Sequence, residues 1–188
     1  MRRRRPLIIQ KTPVFLGCEG ESEQGYGQLL NDLLHAADLP IHLEVVNLSP
    51  GAGDPIARLQ SAEKEITRRQ KRRSVFDDRA VLMDSDQLAG NSQRRQEVEQ
   101  LALQMEISII WQEPCHEAFL LRHMDGYAQN RPLTTQAAIA ALEAVWPQYN
   151  KPMTKILLAR RIGRAEVLRA ATVEASLAAF LRRISLLA

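Results

Sequence analysis

Aromatic side chains are scarce in this chain: four Phe, three Tyr and two Trp make up 5% of its 188 residues. A protein so poor in rings is not built to grip single strands by stacking bases on an aromatic platform. Cysteines number two, Cys18 and Cys115, far apart and without the close pairing of a zinc site. Such usage fits a reduced, cytosolic protein with incidental buried thiols. No stretch approaches the ~18 consecutive apolar residues of a membrane span. The opening Met1-Arg-Arg-Arg-Arg-Pro-Leu-Ile-Ile is interrupted by Gln10, Lys11 and Pro13, and no small-residue cleavage site follows, so it does not read as a signal peptide. A P-loop is missing too: Gly51-Ala-Gly-Asp54 has glycines but no Gly-Lys-Ser/Thr to reach the β- and γ-phosphates. The chain is expected in the cytoplasm and off the membrane, and any ATP hydrolysis falls to another protein.

What is present suits one domain, or one domain with a helical extension, with 45% hydrophobic residues to build a core. The net charge of +3 conceals a segregation. Residues 1–11 carry five basic groups and no acid, and residues 151–188 carry eight basic groups against Glu166 and Glu174. The interior, 12–150, has a net charge of −8. An acidic middle with basic ends suits a metal-binding centre flanked by surfaces that attract polyanions, or else arginines that solvate outer helix faces.

Two stretches concentrate the acids. Val14-Phe-Leu-Gly-Cys-Glu-Gly-Glu-Ser-Glu23 is an apolar run that stops at Glu19, Glu21 and Glu23; Arg79-Ala-Val-Leu-Met-Asp84-Ser-Asp86 is another, ending in two aspartates. Short apolar runs bounded by turn signals read as buried strands. Ligands of open α/β sheets bind outside the carboxyl ends of the strands. If the two strands are neighbours, Glu19, Glu23, Asp84 and Asp86 share one rim and repel each other until protons or a cation neutralise them. A hard divalent ion held by oxygens, Mg2+ or Mn2+, is the simplest neutraliser.

Along the chain, residues 1–12 read as a basic arm, 13–128 as an α/β core and 129–188 as a helical C-terminal extension. A strand over Val14–Cys18 leads into a helix to about Ala37, with Ser22 as its N-cap. Ile41–Leu48 alternates like an edge strand, and Asp54-Pro55 opens a helix over 55–72. Ala80–Met83 and Ile107–Trp111 are further strands, with a helix from Ser92 to about Met105 between them. Another helix follows Gln112-Glu-Pro-Cys-His-Glu117. The β-α alternation predicts a mostly parallel sheet with helices on both faces. Beyond Thr134 the pattern is helical: Thr135–Trp146, then one long helix over about 154–187 with a weak point at Gly163. That last helix can cap the sheet, form a homodimer or dock a partner.

These residues resemble the Toprim domain, in which one strand ends in Glu-Gly with a further acid nearby and another ends in Asp-x-Asp. Cys18-Glu-Gly-Glu-Ser-Glu23 and Asp84-Ser-Asp86 fit both motifs. Within that group the chain resembles the RloB-like (AbiL-type) bacterial defence proteins. The resemblance rests on Cys18–Glu23 with Tyr26, on Gly53-Asp54-Pro55, on Glu113-Pro-Cys-His-Glu117, and on Leu120-Leu-Arg-His123. Glu113 stands where that pattern has Asn, and His116 where it has Phe. The resemblance implies a magnesium-dependent phosphodiester chemistry, namely nucleic-acid cleavage, and an ABC/AAA-type ATPase partner in phage defence.

Under this reading Glu19 is a general acid/base or shares the metal, and otherwise is a solvent-facing turn acid. Asp84 and Asp86 are metal ligands rather than mere turn caps, and Glu23 is either a ligand or a helix-dipole partner. Glu117 joins the acidic cluster in catalysis, serves a second metal, or caps its helix. His123 either touches phosphate or packs in the core, and Asp54 is a cap or a ligand. Arg68, Arg69, Lys71, Arg72 and Arg73 are the internal candidates for contact with a nucleic-acid backbone. The competing reading is a non-catalytic subunit of the same fold that binds nucleic acid or the ATPase.

Overall fold

The apolar runs become four strands among the described residues, and each is parallel to its neighbours. The computed structural model describes residues 11–48, 53–72 and 75–188; most of the expected basic arm, part of the loop before Asp54, and Arg73 lie outside them. The strand order is β2-β1-β3-β4. β1 (Thr12–Cys18) and β3 (Asp78–Asp84) are central, while β2 (Ile41–Asn47) and β4 (Ser108–Gln112) form the edges. The half-wet alternation of β2 is what an edge position allows.

Period-two alternation sends successive side chains to opposite faces. Val14, Leu16 and Cys18 of β1 share one core with Ala80 and Leu82 of β3 and Ile110 of β4. Phe15, Val81 and Met83 belong to the other. Against the second face pack α2 (Pro55–Gln70), through Leu59, Ala62 and Ile66, and α3 (Ser92–Gln104), through Val98 and Ala102. Against the first lies α1 (Glu21–Ala36), whose Tyr26, Leu29, Leu30 and Leu34 recur at helical spacing, with α4 (His116–Leu121) beside it. Helices α5 (Thr135–Val145), α6 (Lys155–Leu158), α7 (Arg164–Ala171) and α8 (Ala175–Arg183) contribute Leu142, Leu158, Val167 and Phe180 to that same core. The C-terminal helices therefore complete one side of the sheet.

Two local expectations need correction. Gly20, not Ser22, is the N-cap of α1; Ser22 is buried and its Oγ accepts a hydrogen bond from the backbone N–H of Met153 at 3.0 Å. The expected long helix over 154–187 is three helices. Its chain breaks before Gly163, whose N–H donates to Glu166 Oε2 at 2.9 Å, and again at Thr172–Glu174. Two β-branched residues, Thr172 and Val173, lower helix propensity at the second break, and Glu174 turns inward to pair with the buried Arg122.

Two connections decide where a site can lie. From β1 the chain passes through α1 to β2 on one side, then crosses by α2 to β3 on the other side of β1. The carboxyl ends of β1 and β3 thus flank the point where the winding reverses, which is where a parallel sheet opens a crevice for ligands.

Candidate active site at the carboxylate rim

Register places Cys18 opposite Leu82, so Glu19 leaves β1 close to where Asp84 ends β3. The backbone N–H of Asp84 donates to Glu19 Oε2 at 3.2 Å. Arg58, one turn into α2 and almost fully buried, donates from Nη1 to the Glu19 carbonyl at 3.0 Å and from Nη2 to Glu19 Oε1 at 3.2 Å. Glu19 is therefore held at both carboxylate oxygens and at its backbone. Glu23, on the first turn of α1, folds back over Gly20: a Cβ there would lie 3.0 Å from Glu23 Oε2. Glu19, Gly20, Glu23 and Asp84, together with Lys151 and Pro152, line one open cleft.

Electrostatics follow from burial and crowding. Burial raises the proton affinity of Glu19 above the usual carboxylate range; the Asp84 N–H and Arg58 oppose this, while Glu23 and Asp86 add to it. Asp84 is pushed up to about 9, first by burial and then by Glu23, Glu19, Asp86 and Glu117. Its Oδ1 is buried without a hydrogen-bond partner among the described residues. Asp86 sits just beyond, exposed, at the start of a short 3-10 turn (Asp86–Leu88).

Glu117 stands deeper, in the first turn of α4, and is fully buried. Tyr149 Oη donates to its Oε1 at 2.7 Å, and the Lys151 ammonium pairs with the same oxygen. Burial would raise this carboxyl, but Lys151 and Tyr149 outweigh it and hold Glu117 below its ordinary value. An acid kept ionised by two donors is poorly suited to give up a proton, and the Tyr149 and Lys151 contacts fix its position. Its Oε2 is buried with no partner among the described residues.

His123 belongs to the core. Its Nδ1 lies 2.9 Å from the Phe119 carbonyl, which can only accept, so Nδ1 carries the proton and Nε2 accepts from Tyr26 Oη at 2.9 Å. Burial depresses its pKa to about 3 and keeps it neutral. His116 is buried as well, paired with Gln112 at 2.7 Å. Asp54 caps α2, accepting from the Ala57 N–H at 3.3 Å, and pairs with Arg94 at 3.0 Å.

The basic cluster is not brought to the rim. Helix α2 points its N-terminal end at the cleft, so Arg68 and Arg69 lie about 15 Å further along it than Arg58. Arg68 pairs with Glu65 at 2.7 Å, and Arg69 pairs with Glu65 at 3.3 Å and with Glu44 of β2. Lys71 and Arg72 are exposed at the end of this helix.

Sequence reasoning missed Arg58, Tyr149 and Lys151. A signal for Arg58 existed: it follows the cap Asp54 by one helical turn, in a helix that must start at the rim. Tyr149 and Lys151 lie in a non-periodic stretch that nothing local ties to Glu117.

The donor chemistry fits a hard divalent cation. Glu19, Glu23, Asp84 and Asp86 present oxygens only, and the orphaned Asp84 Oδ1 has the unmet demand that a cation satisfies. Their donor atoms are not gathered as a ready-made set: no group of three or more His, Cys, Asp or Glu among the described residues is placed to hold a metal ion.

A parallel α/β sheet with paired strand-end acids at its switch point is the class that this geometry defines. The profile of the RloB-like protein family matches residues 14–178, and the chain belongs to that family. No curated protein and no solved structure matches the chain. Among the described residues no helix is long and apolar enough to cross a membrane.

Proposed function

We propose that this chain is a Toprim-type nuclease, dependent on Mg2+ or Mn2+, that hydrolyses phosphodiester bonds of DNA or RNA as the effector of an ATPase-linked phage-defence system. The observation that carries this reading is Glu19, fixed between the buried Arg58 and the Asp84 N–H at the switch point, with its proton affinity raised. A carboxyl so held keeps one orientation and exchanges a proton nearer to neutral pH than a free Glu. Arg58 orients it, and the main chain of Asp84 sets its distance from the second strand end. Glu23, Asp84 and Asp86, with Glu19, would hold the cation, which supplies charge stabilisation to the phosphoryl oxygens. The cleft is open, as a polymeric substrate requires. ATP hydrolysis belongs to a partner, since the chain has no P-loop.

The test is cleavage of supercoiled plasmid, single-stranded DNA and total tRNA, with and without the cation and the ATPase, alongside Glu19→Gln and Asp84→Asn. Ion-dependent cleavage that disappears in both variants supports the nuclease and names its substrate. Undiminished cleavage in either variant would sink these assignments.

A second reading, a non-catalytic subunit that binds nucleic acid or the ATPase, is favoured by one observation: the rim acids are not gathered into a metal set while Lys151 occupies Glu117. It predicts no cleavage under any of these conditions and weak cation binding.

A further inference from the structure

Lys151 is the cation that the C-terminal helices bring to the acidic rim. It lies between α5 and α6, where the Ser22–Met153 hydrogen bond and the Tyr149–Glu117 hydrogen bond pin the chain on both sides of it. Its ammonium pairs with the buried Glu117, and its side chain remains 55% exposed to the cleft that Glu19, Glu23 and Asp84 line. Arg58, the other cation that meets these acids among the described residues, directs both its Nη groups to Glu19. Lys151 therefore lines the cleft beside acids that Arg58 does not contact. The ammonium is a compact charge on a flexible stem, able to stay in the cleft or swing into water.

We propose that Lys151 is the resident counter-charge of this cleft: it offsets Glu117 and Glu23 in the metal-free protein, and a divalent cation binds only against its charge or by displacing it. The inference rests on the reading of the rim as a cation site and extends it to a residue outside the acid motifs. It makes the C-terminal segment part of the site, because Lys151 lines the same cleft as the carboxylates that would take up the cation. The positive charge of Lys151 would raise the ion concentration at which the site fills.

The full chain, freed of metal, is titrated with Mn2+ and followed by electron paramagnetic resonance of the free ion. Wild type is compared with Lys151→Gln, Lys151→Arg and Asp84→Asn; glutamine removes the charge while keeping a polar donor at that position. Lys151→Gln is expected to bind Mn2+ about tenfold more tightly, since a like charge beside the ion is removed. Lys151→Arg stays near wild type, and Asp84→Asn loses binding. Thermal unfolding in EDTA supplies a metal-free reading: Lys151→Gln unfolds earlier than wild type, and Mn2+ narrows the gap. Unchanged or weaker Mn2+ binding in Lys151→Gln, with binding still lost in Asp84→Asn, overturns the Lys151 proposal and leaves the cation site standing. Absence of binding in wild type and both Lys151 variants overturns the two together.

Discussion

Replacing Asp84 with Asn should stabilise the metal-free protein while abolishing the proposed cleavage, and the gain should grow with pH. In the folded chain this carboxyl titrates at about 9, raised by burial and by the surrounding acids. Unfolded, an Asp titrates near ~3.9. Between those values the folded state holds one more proton than the unfolded state. Stability is therefore full below about pH 4 and falls as pH rises through the window to about 9, at up to ~1.4 kcal/mol per pH unit. From pH 6 to 8 the limit is about 3 kcal/mol, and partial solvent access to the rim brings the expected loss to about 2 kcal/mol. For a chain of this size that corresponds to about 4–8 °C in Tm. Burial likewise raises Glu19, which adds to the slope, whereas the buried, neutral His116 and His123 oppose it at low pH. Subtracting the Asp84→Asn curve from wild type cancels most of both contributions. The assay is thermal unfolding in EDTA at pH 6, 7 and 8, with Asp84→Asn gaining on wild type at each step. Parallel curves for the two proteins would refute the assignment of a raised carboxyl to Asp84.

Two further substitutions probe how the site is held. Arg58→Met keeps the apolar stem of a buried side chain but leaves the Glu19 carboxylate without its cation; urea unfolding should show a loss of about 2–4 kcal/mol, and a change under about 0.5 kcal/mol would mean that Arg58 is not its anchor. Gly25→Ala would place a Cβ 2.2 Å from the Met153 carbonyl oxygen, a backbone atom that cannot swing aside. It should cost about 2–4 kcal/mol by the same assay and loosen the Ser22–Met153 contact, raising amide exchange at Met153. An alanine variant with wild-type stability and exchange would show that the C-terminal segment does not bear on α1 at this point.

Much of this architecture could be read from residue order alone. Apolar runs at Val14–Cys18 and Ala80–Met83, each ending in acids, specify strands through period-two burial, and the α-helices between them force parallel pairing because a crossover returns the chain to the same end. The acid motifs were legible for the same reason: Glu19 and Asp84 follow directly on buried strands, so their position at the carboxyl rim needs no tertiary information. Asp54-Pro55 marked its helix start because capping is local. Tertiary structure alone decided the rest. Whether β1 and β3 are neighbours depends on which way α2 crosses. The ionisation of Glu117 depends on Tyr149 and Lys151, distant in sequence and brought in by packing. His123 could have faced phosphate or core, and Tyr26 on α1 settled it. Arg68 and Arg69, conspicuous as a basic run, were drawn into pairs with Glu65 and Glu44 at the far end of a helix whose other end serves the site. The C-terminal helices break where Glu174 turns inward to Arg122, a demand of the buried charge that adds to the weak local helix propensity of Thr172 and Val173. Local patterns encode which residues are buried and which turns are made; the company a charged side chain keeps is set by long-range packing, and that company determines its proton, its partner and its use.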